Sequence, residues 1–116
     1  MANRFVLIVL TAILGSAAQG FEGGLTVTIS NGTDSDLLVT AYDLNTQAQR
    51  KVLSSEVING NASIAISIAA DASGQGHLAW TATTVDRDMG GCGRGENRRL
   101  NNGDTVSVSA DSSCGQ

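Results

Sequence analysis

The sequence predicts an all-β fold, a small antiparallel β-sandwich of six to seven strands, on three observations. From Leu25 onward apolar residues recur with a period of two, which places them on one face of a pleated strand. Asn-Gly pairs at Asn31-Gly32, Asn59-Gly60 and Asn102-Gly103 punctuate the segments, and both residues accept the positive φ of tight turns. The chain contains no proline, so every strand can donate its full backbone ladder. Short strands separated by turn signals in a chain of 116 residues close as a sandwich or a small barrel, with the sandwich the expected form.

The first strand is Leu25, Val27 and Ile29 alternating with Thr26 and Thr28. Leu37, Val39 and Ala41 alternate with Leu38, Thr40 and Tyr42 in the second. Val52, Leu53, Val57 and Ile58 make a weaker third, with a bulge expected at Ser54-Ser55 because the alternation breaks there. Ile64, Ile66 and Ile68 alternate with Ser63, Ala65 and Ser67 in the clearest strand of all. Asn59-Gly60, between two apolar segments, is the best hairpin signal. Leu78, Trp80 and Ala82 form the fifth strand, continuing to Val85, after a glycine-rich connection from Asp71 to Gly76. Val106 and Val108 form the last. β-Branched residues fill these segments, as half-buried pleated surfaces favour. In outline such a sandwich resembles immunoglobulin-like and thaumatin-like domains, a likeness of fold that carries no function.

Ahead of the strands lies an export address. Arg4 supplies a positive start, Phe5 to Ala18 an apolar run, and Ser16 to Gly20 small residues, the layout of a secretory signal peptide. Residues 1–20 are therefore read as the signal, cleaved after Ala17, Ala18 or, preferably, Gly20, and residues 21–116 as one domain. The apolar run is about fourteen residues, short of the roughly twenty a membrane-spanning helix needs, so no stable membrane span is expected. Localisation is then secreted, extracellular or periplasmic.

Export permits disulfides, and a domain this small has a thin hydrophobic margin. Cys92 and Cys114 are the two cysteines, with one intramolecular pairing available. Their bridge closes a loop of about 22 residues, worth roughly 3 kcal/mol in the chain-entropy model. They are too far apart for a C-x-x-C redox pair. With His77 as the sole histidine they make a poor zinc site, and no metal or cofactor is expected.

The formal net charge of −4 lacks the electrostatic footprint of a nucleic-acid binder. Its distribution is uneven. Residues 86–104 read as a long, arginine- and glycine-rich loop with five glycines, four arginines and little that is apolar, and a connection of that length is functional or mobile. Arg87, Arg94, Arg98 and Arg99 could fork onto carboxylates, sulfates or phosphates, or stack on sugar faces. The bland reading pairs them with Asp86, Asp88, Glu96 and Asp104 alongside. Trp80 is a candidate sugar platform, though an inward strand position suits a core filler better.

No catalytic constellation is evident. His77 is the one available imidazole base, no G-x-S-x-G elbow occurs, and the acid pairs Asp34/Asp36 and Asp86/Asp88 sit among turn-forming neighbours. Asp86, Asp88 and Asp104 only faintly suggest a calcium loop. Asn31-Gly-Thr33 and Asn61-Ala-Ser63 match the N-glycosylation pattern at turns, where an acceptor would be accessible in a eukaryotic secretory route. The expected function is a non-catalytic binding module whose 86–104 loop contacts an extracellular protein or glycan. Alternatives are an assembly subunit donating Phe21–Gly24 to a neighbour's sheet edge, a secreted enzyme inhibitor, and a carboxylate-dependent glycan-active enzyme.

Overall fold

The computed structural model describes residues 24–114 apart from Arg87 and Met89. The expected signal peptide lies outside the described residues, as does Arg87. Eight strands are present among those described: β1 (Gly24–Asn31), β2 (Leu37–Asp43), β3 (Arg50–Ile58), β4 (Ser63–Ala69), β5 (Gly76–Thr84), β6 (Gly91–Leu100), β7 (Thr105–Val108) and β8 (Ser112–Ser113). They form a three-stranded sheet, β4-β1-β7, and a five-stranded sheet, β3-β2-β5-β6-β8. The six segments read from alternation are six of these strands. The other two, β6 and β8, carry or adjoin the cysteines.

Packing follows the predicted faces. Val27, Ile29, Ile66, Ile68, Val106 and Val108 from the smaller sheet meet Leu37, Val39, Ala41, Leu78, Trp80 and Ala82 from the larger, all buried. β1 pairs antiparallel with β4, Gly24 opposite Ala69 through Ser30 opposite Ser63, and parallel with β7. In β3 the bulge is where the broken alternation places it. Val39 faces Glu56 and Ala41 faces Leu53, leaving Ser54 and Ser55 against Thr40. Ser55 has φ 49° and its N–H donates to Thr40 Oγ1 at 3.0 Å.

The Asn-Gly pairs do a different job from the one expected. β3 and β4 lie in different sheets, so Asn59-Gly60 is a crossing between layers and not a hairpin turn. Ala62 N–H donates to Asn59 O at 2.9 Å, and the left-handed residue is Asn61 at φ 63°. Gly60 is required by close approach, because a β-carbon there would stand 2.5 Å from the Asp34 carbonyl oxygen. Asn31-Gly32 and Asn102-Gly103 also join strands of opposite sheets.

Two buried polar side chains clamp the layers at opposite ends. Asn31, fully buried, brings its amide nitrogen to the carbonyls of Ser35, Ile58 and Asn59 at 2.7, 2.9 and 3.2 Å. Its Oδ1 accepts from the N–H and hydroxyl of Thr33 at 2.9 and 2.7 Å. At the far end the buried Asp43 accepts from Ala69 N–H at 2.7 Å and Asn45 N–H at 3.1 Å, with Arg50 3.7 Å away. Each links a strand of one sheet to the end of a strand in the other, which satisfies polar groups that burial would otherwise penalise.

Candidate functional site

Most of the segment expected to be a loop is strand β6, ten residues long. Its apolar periodicity is missing because the inward positions are glycines. Gly91, Gly93 and Gly95 turn to the core while Arg94, Glu96 and Arg98 alternate outward, exposed. The glycines are demanded by contact. A β-carbon at Gly93 would stand 1.9 Å from Ser109 O, and one at Gly91 would stand 2.6 Å from Ala110 O. Among the described residues, Asp86, Asp88 and Gly90 ahead of the strand and residues 101–104 after it remain irregular, with Asp88 N–H donating to Asp86 Oδ1 at 2.9 Å and Asn101 N–H to Asp104 Oδ2 at 2.8 Å.

Cys92 and Cys114 are bridged, with their α-carbons 5.5 Å apart. The bridge, with the pairing of Gly91 to Ser113 and Cys92 to Ser112, lays the C-terminal segment along the start of β6. This disulfide is compatible with an oxidising extracellular environment. No helix among the described residues is long and apolar enough to cross a membrane.

Register assembles the outer face of the five-stranded sheet in rows. Across β2, β5 and β6 these are Leu38–Thr83–Cys92, Thr40–Thr81–Arg94 and Tyr42–Ala79–Glu96. Ala79 thus lies between the longer Tyr42 and Glu96, and Thr81 beside the longer Arg94, so the central strand becomes the floor of a shallow trough. One stretch, of about 420 Å³, is lined by Thr81, Thr83, Arg94, Asp111 and Ser112. The next, of about 500 Å³, is lined by Tyr42, Ala79, Thr81, Arg94 and Glu96. Thr81 and Arg94 belong to both. At the β3 side Lys51 Nζ stands 5.8 Å from the centre of the Tyr42 ring.

The three described arginines do not converge. Arg94 alone of these three lines the trough, and among the described residues no carboxylate pairs with it. Arg98 instead donates to Glu96 at 3.2 Å. Arg99 stands at φ 57° near the end of β6, where the register to β5 shifts. Arg87 lies outside the described residues. Glu96 also accepts from His77 Nε2 at 2.5 Å, and this hydrogen bond, with the Arg98 charge next, holds its carboxyl below the ordinary 4.5.

Trp80 is part of the core, 7% exposed, its Nε1 donating to Asn97 Oδ1 at 3.3 Å, and it borders the second stretch of the trough with little of its ring open. Asn31 is equally closed. Its fully buried amide is engaged on every side, contrary to the accessibility expected of a turn, whereas Asn61 is exposed and donates to Asp34 Oδ1 at 3.1 Å. Asp86 and Asp104 flank β6 at its two ends, which rules out a shared calcium loop. No cluster of metal-ligating side chains occurs among the described residues.

Tyr42, Thr81 and Thr83 line the trough and were passed over in the sequence reading. Their signal was the same alternation that marked the core, read for the opposite face. No protein-family model matches the chain, and neither a curated protein nor a solved structure matches it.

Proposed function

We propose that the chain is a secreted, non-catalytic binding module that holds a glycan along the trough of its five-stranded sheet, anchored at Arg94. The supporting observation is the Arg94 guanidinium, exposed and without a carboxylate partner among the described residues, at the junction of the two stretches of trough. A guanidinium forks onto a carboxylate or sulfate and lies flat against a sugar ring. Thr81, Thr83 and Ser112 supply hydroxyls that donate or accept, and Tyr42 offers a ring at one end. The sheet and the disulfide hold these groups in place before a ligand arrives, which lowers the ordering cost of binding.

The test is titration of the protein with uronate-bearing and neutral oligosaccharides, followed by calorimetry. Arg94→Ala weakens uronate binding by about tenfold or more, the scale of one charge-assisted hydrogen bond, without lowering Tm. Arg98→Ala, whose guanidinium is engaged by Glu96, leaves affinity within about twofold. Equal binding by wild type and Arg94→Ala, or no oligosaccharide binding by the wild type, overturns the proposal.

A further inference from the structure

We propose that β4 is a homodimerisation edge, along which two copies join their three-stranded sheets antiparallel about a two-fold axis through Ala65. The surface is separate from the trough and lies on the other sheet.

β4 is the outermost strand of its sheet and pairs only with β1. Asn31 N–H donates to Ala62 O, so by antiparallel alternation Ile64, Ile66 and Ile68 exchange bonds with β1. The backbone groups of Ser63, Ala65 and Ser67 then point away from the sheet, and no partner meets them among the described residues. The neighbouring outward positions are occupied at both ends. Asn61 N–H donates to Thr33 O at 2.9 Å. Ala69 N–H donates to Asp43 Oδ2 at 2.7 Å, and Ala69 O accepts from Asn45 Nδ2 at 3.0 Å. What stays open is a bounded template of three residues.

That template is its own complement. Ser63-Ile64-Ala65-Ile66-Ser67 reads the same in both directions. A second copy centred on Ala65 sets Ser63 against Ser67 of the partner subunit and Ala65 against the partner subunit's Ala65. All the open N–H and C=O groups are then paired, and the half-buried Ile64 meets the partner subunit's Ile66. Centring on Ile66 would bring Ser63 against Ala69 of the partner subunit, whose groups are already taken. The interface is isologous and closes after two copies.

The other long exposed stretches carry the devices that keep strands apart. β3 has two register shifts and the charges of Arg50, Lys51 and Glu56, and β6, paired with β8 only at Gly91 and Cys92, carries the charges of Arg94, Glu96 and Arg98 beyond that point. β4 has no charge, no bulge and no proline. A flat uncharged edge is a site for strand addition, with main-chain hydrogen bonds supplying the affinity.

Sedimentation equilibrium on the exported protein over rising concentration tests this. Wild type is expected to reach twice the chain mass. Ala65→Lys and Ala65→Asp, each at an exposed position, set like charges directly opposite and halve that mass, while their equimolar mixture restores the dimer at low salt. As a second measurement, Ala65→Cys cross-links to itself on oxidation, because α-carbons of a hydrogen-bonded pair stand about 5.5 Å apart, within disulfide reach. A wild type that stays monomeric at all concentrations, open-ended larger species, or an Ala65→Lys protein that keeps the dimer mass overturns the proposal.

Discussion

The indole of Trp80 occupies the space that a side chain at Gly95 would need. The two residues face each other across β5 and β6, and a β-carbon at Gly95 would stand 2.7 Å from Cε2, Cζ2 and Nε1 of the ring. An aromatic side chain laid over a cross-strand glycine covers backbone that would otherwise be bare. One glycine therefore makes room for the largest core residue, and two more admit the Ser109–Ala110 backbone.

Gly95→Ala is expected to destabilise the domain by about 1–3 kcal/mol, the usual cost of overpacking. Gly93→Ala is expected to cost at least as much, because its added carbon meets a backbone carbonyl that cannot rotate aside. Urea denaturation of both variants checks this. A Gly93→Ala midpoint equal to wild type would contradict the arrangement.

Replacing Asn31 with Ala leaves the carbonyls of Ser35, Ile58 and Asn59 without their shared donor. A loss on the order of 3 kcal/mol is expected, since abandoned buried acceptors cost their full desolvation penalty. Thermal unfolding reads it. Asn61→Ala, at an exposed position, shifts Tm far less.

Glu96 should titrate below 4.5, with the His77 hydrogen bond as the largest cause. Because the folded value is depressed, its stabilising contribution is present above the unfolded value and fades as pH falls through the folded one. Carbon-detected NMR of the carboxyl group is the measurement. His77→Ala is expected to move the midpoint upward, and an unmoved midpoint would mean that the hydrogen bond is not formed in solution.

Six strands could be read from the chain because a two-residue period survives even when the side chains are small. β6 escaped because its inward positions are Gly91, Gly93 and Gly95, whose inward face is defined by what fills it, not by their own hydrophobicity. The arginine cluster likewise dissolved in three dimensions. Arg98 shares the outward face but is held by Glu96, and Arg99 lies at the irregular end of β6, which leaves Arg94 as the one of these three over the trough. Asn31, taken as a turn residue, is a tie between layers, a role visible only once Ile58 is brought beside it.

Alternation along six of the strands was enough to say which of their residues look inward, and two cysteines were enough to say which sulfurs join. Both are local or combinatorial facts, independent of how strands are arranged. Partition of the strands into sheets of three and five was not available in that way, since any half-buried strand can pair with any other. It follows from non-local contacts: the Asn31 and Asp43 clamps, the glycine face of β6 and the indole it admits. The trough and the open β4 edge exist only after those contacts choose each strand's neighbours.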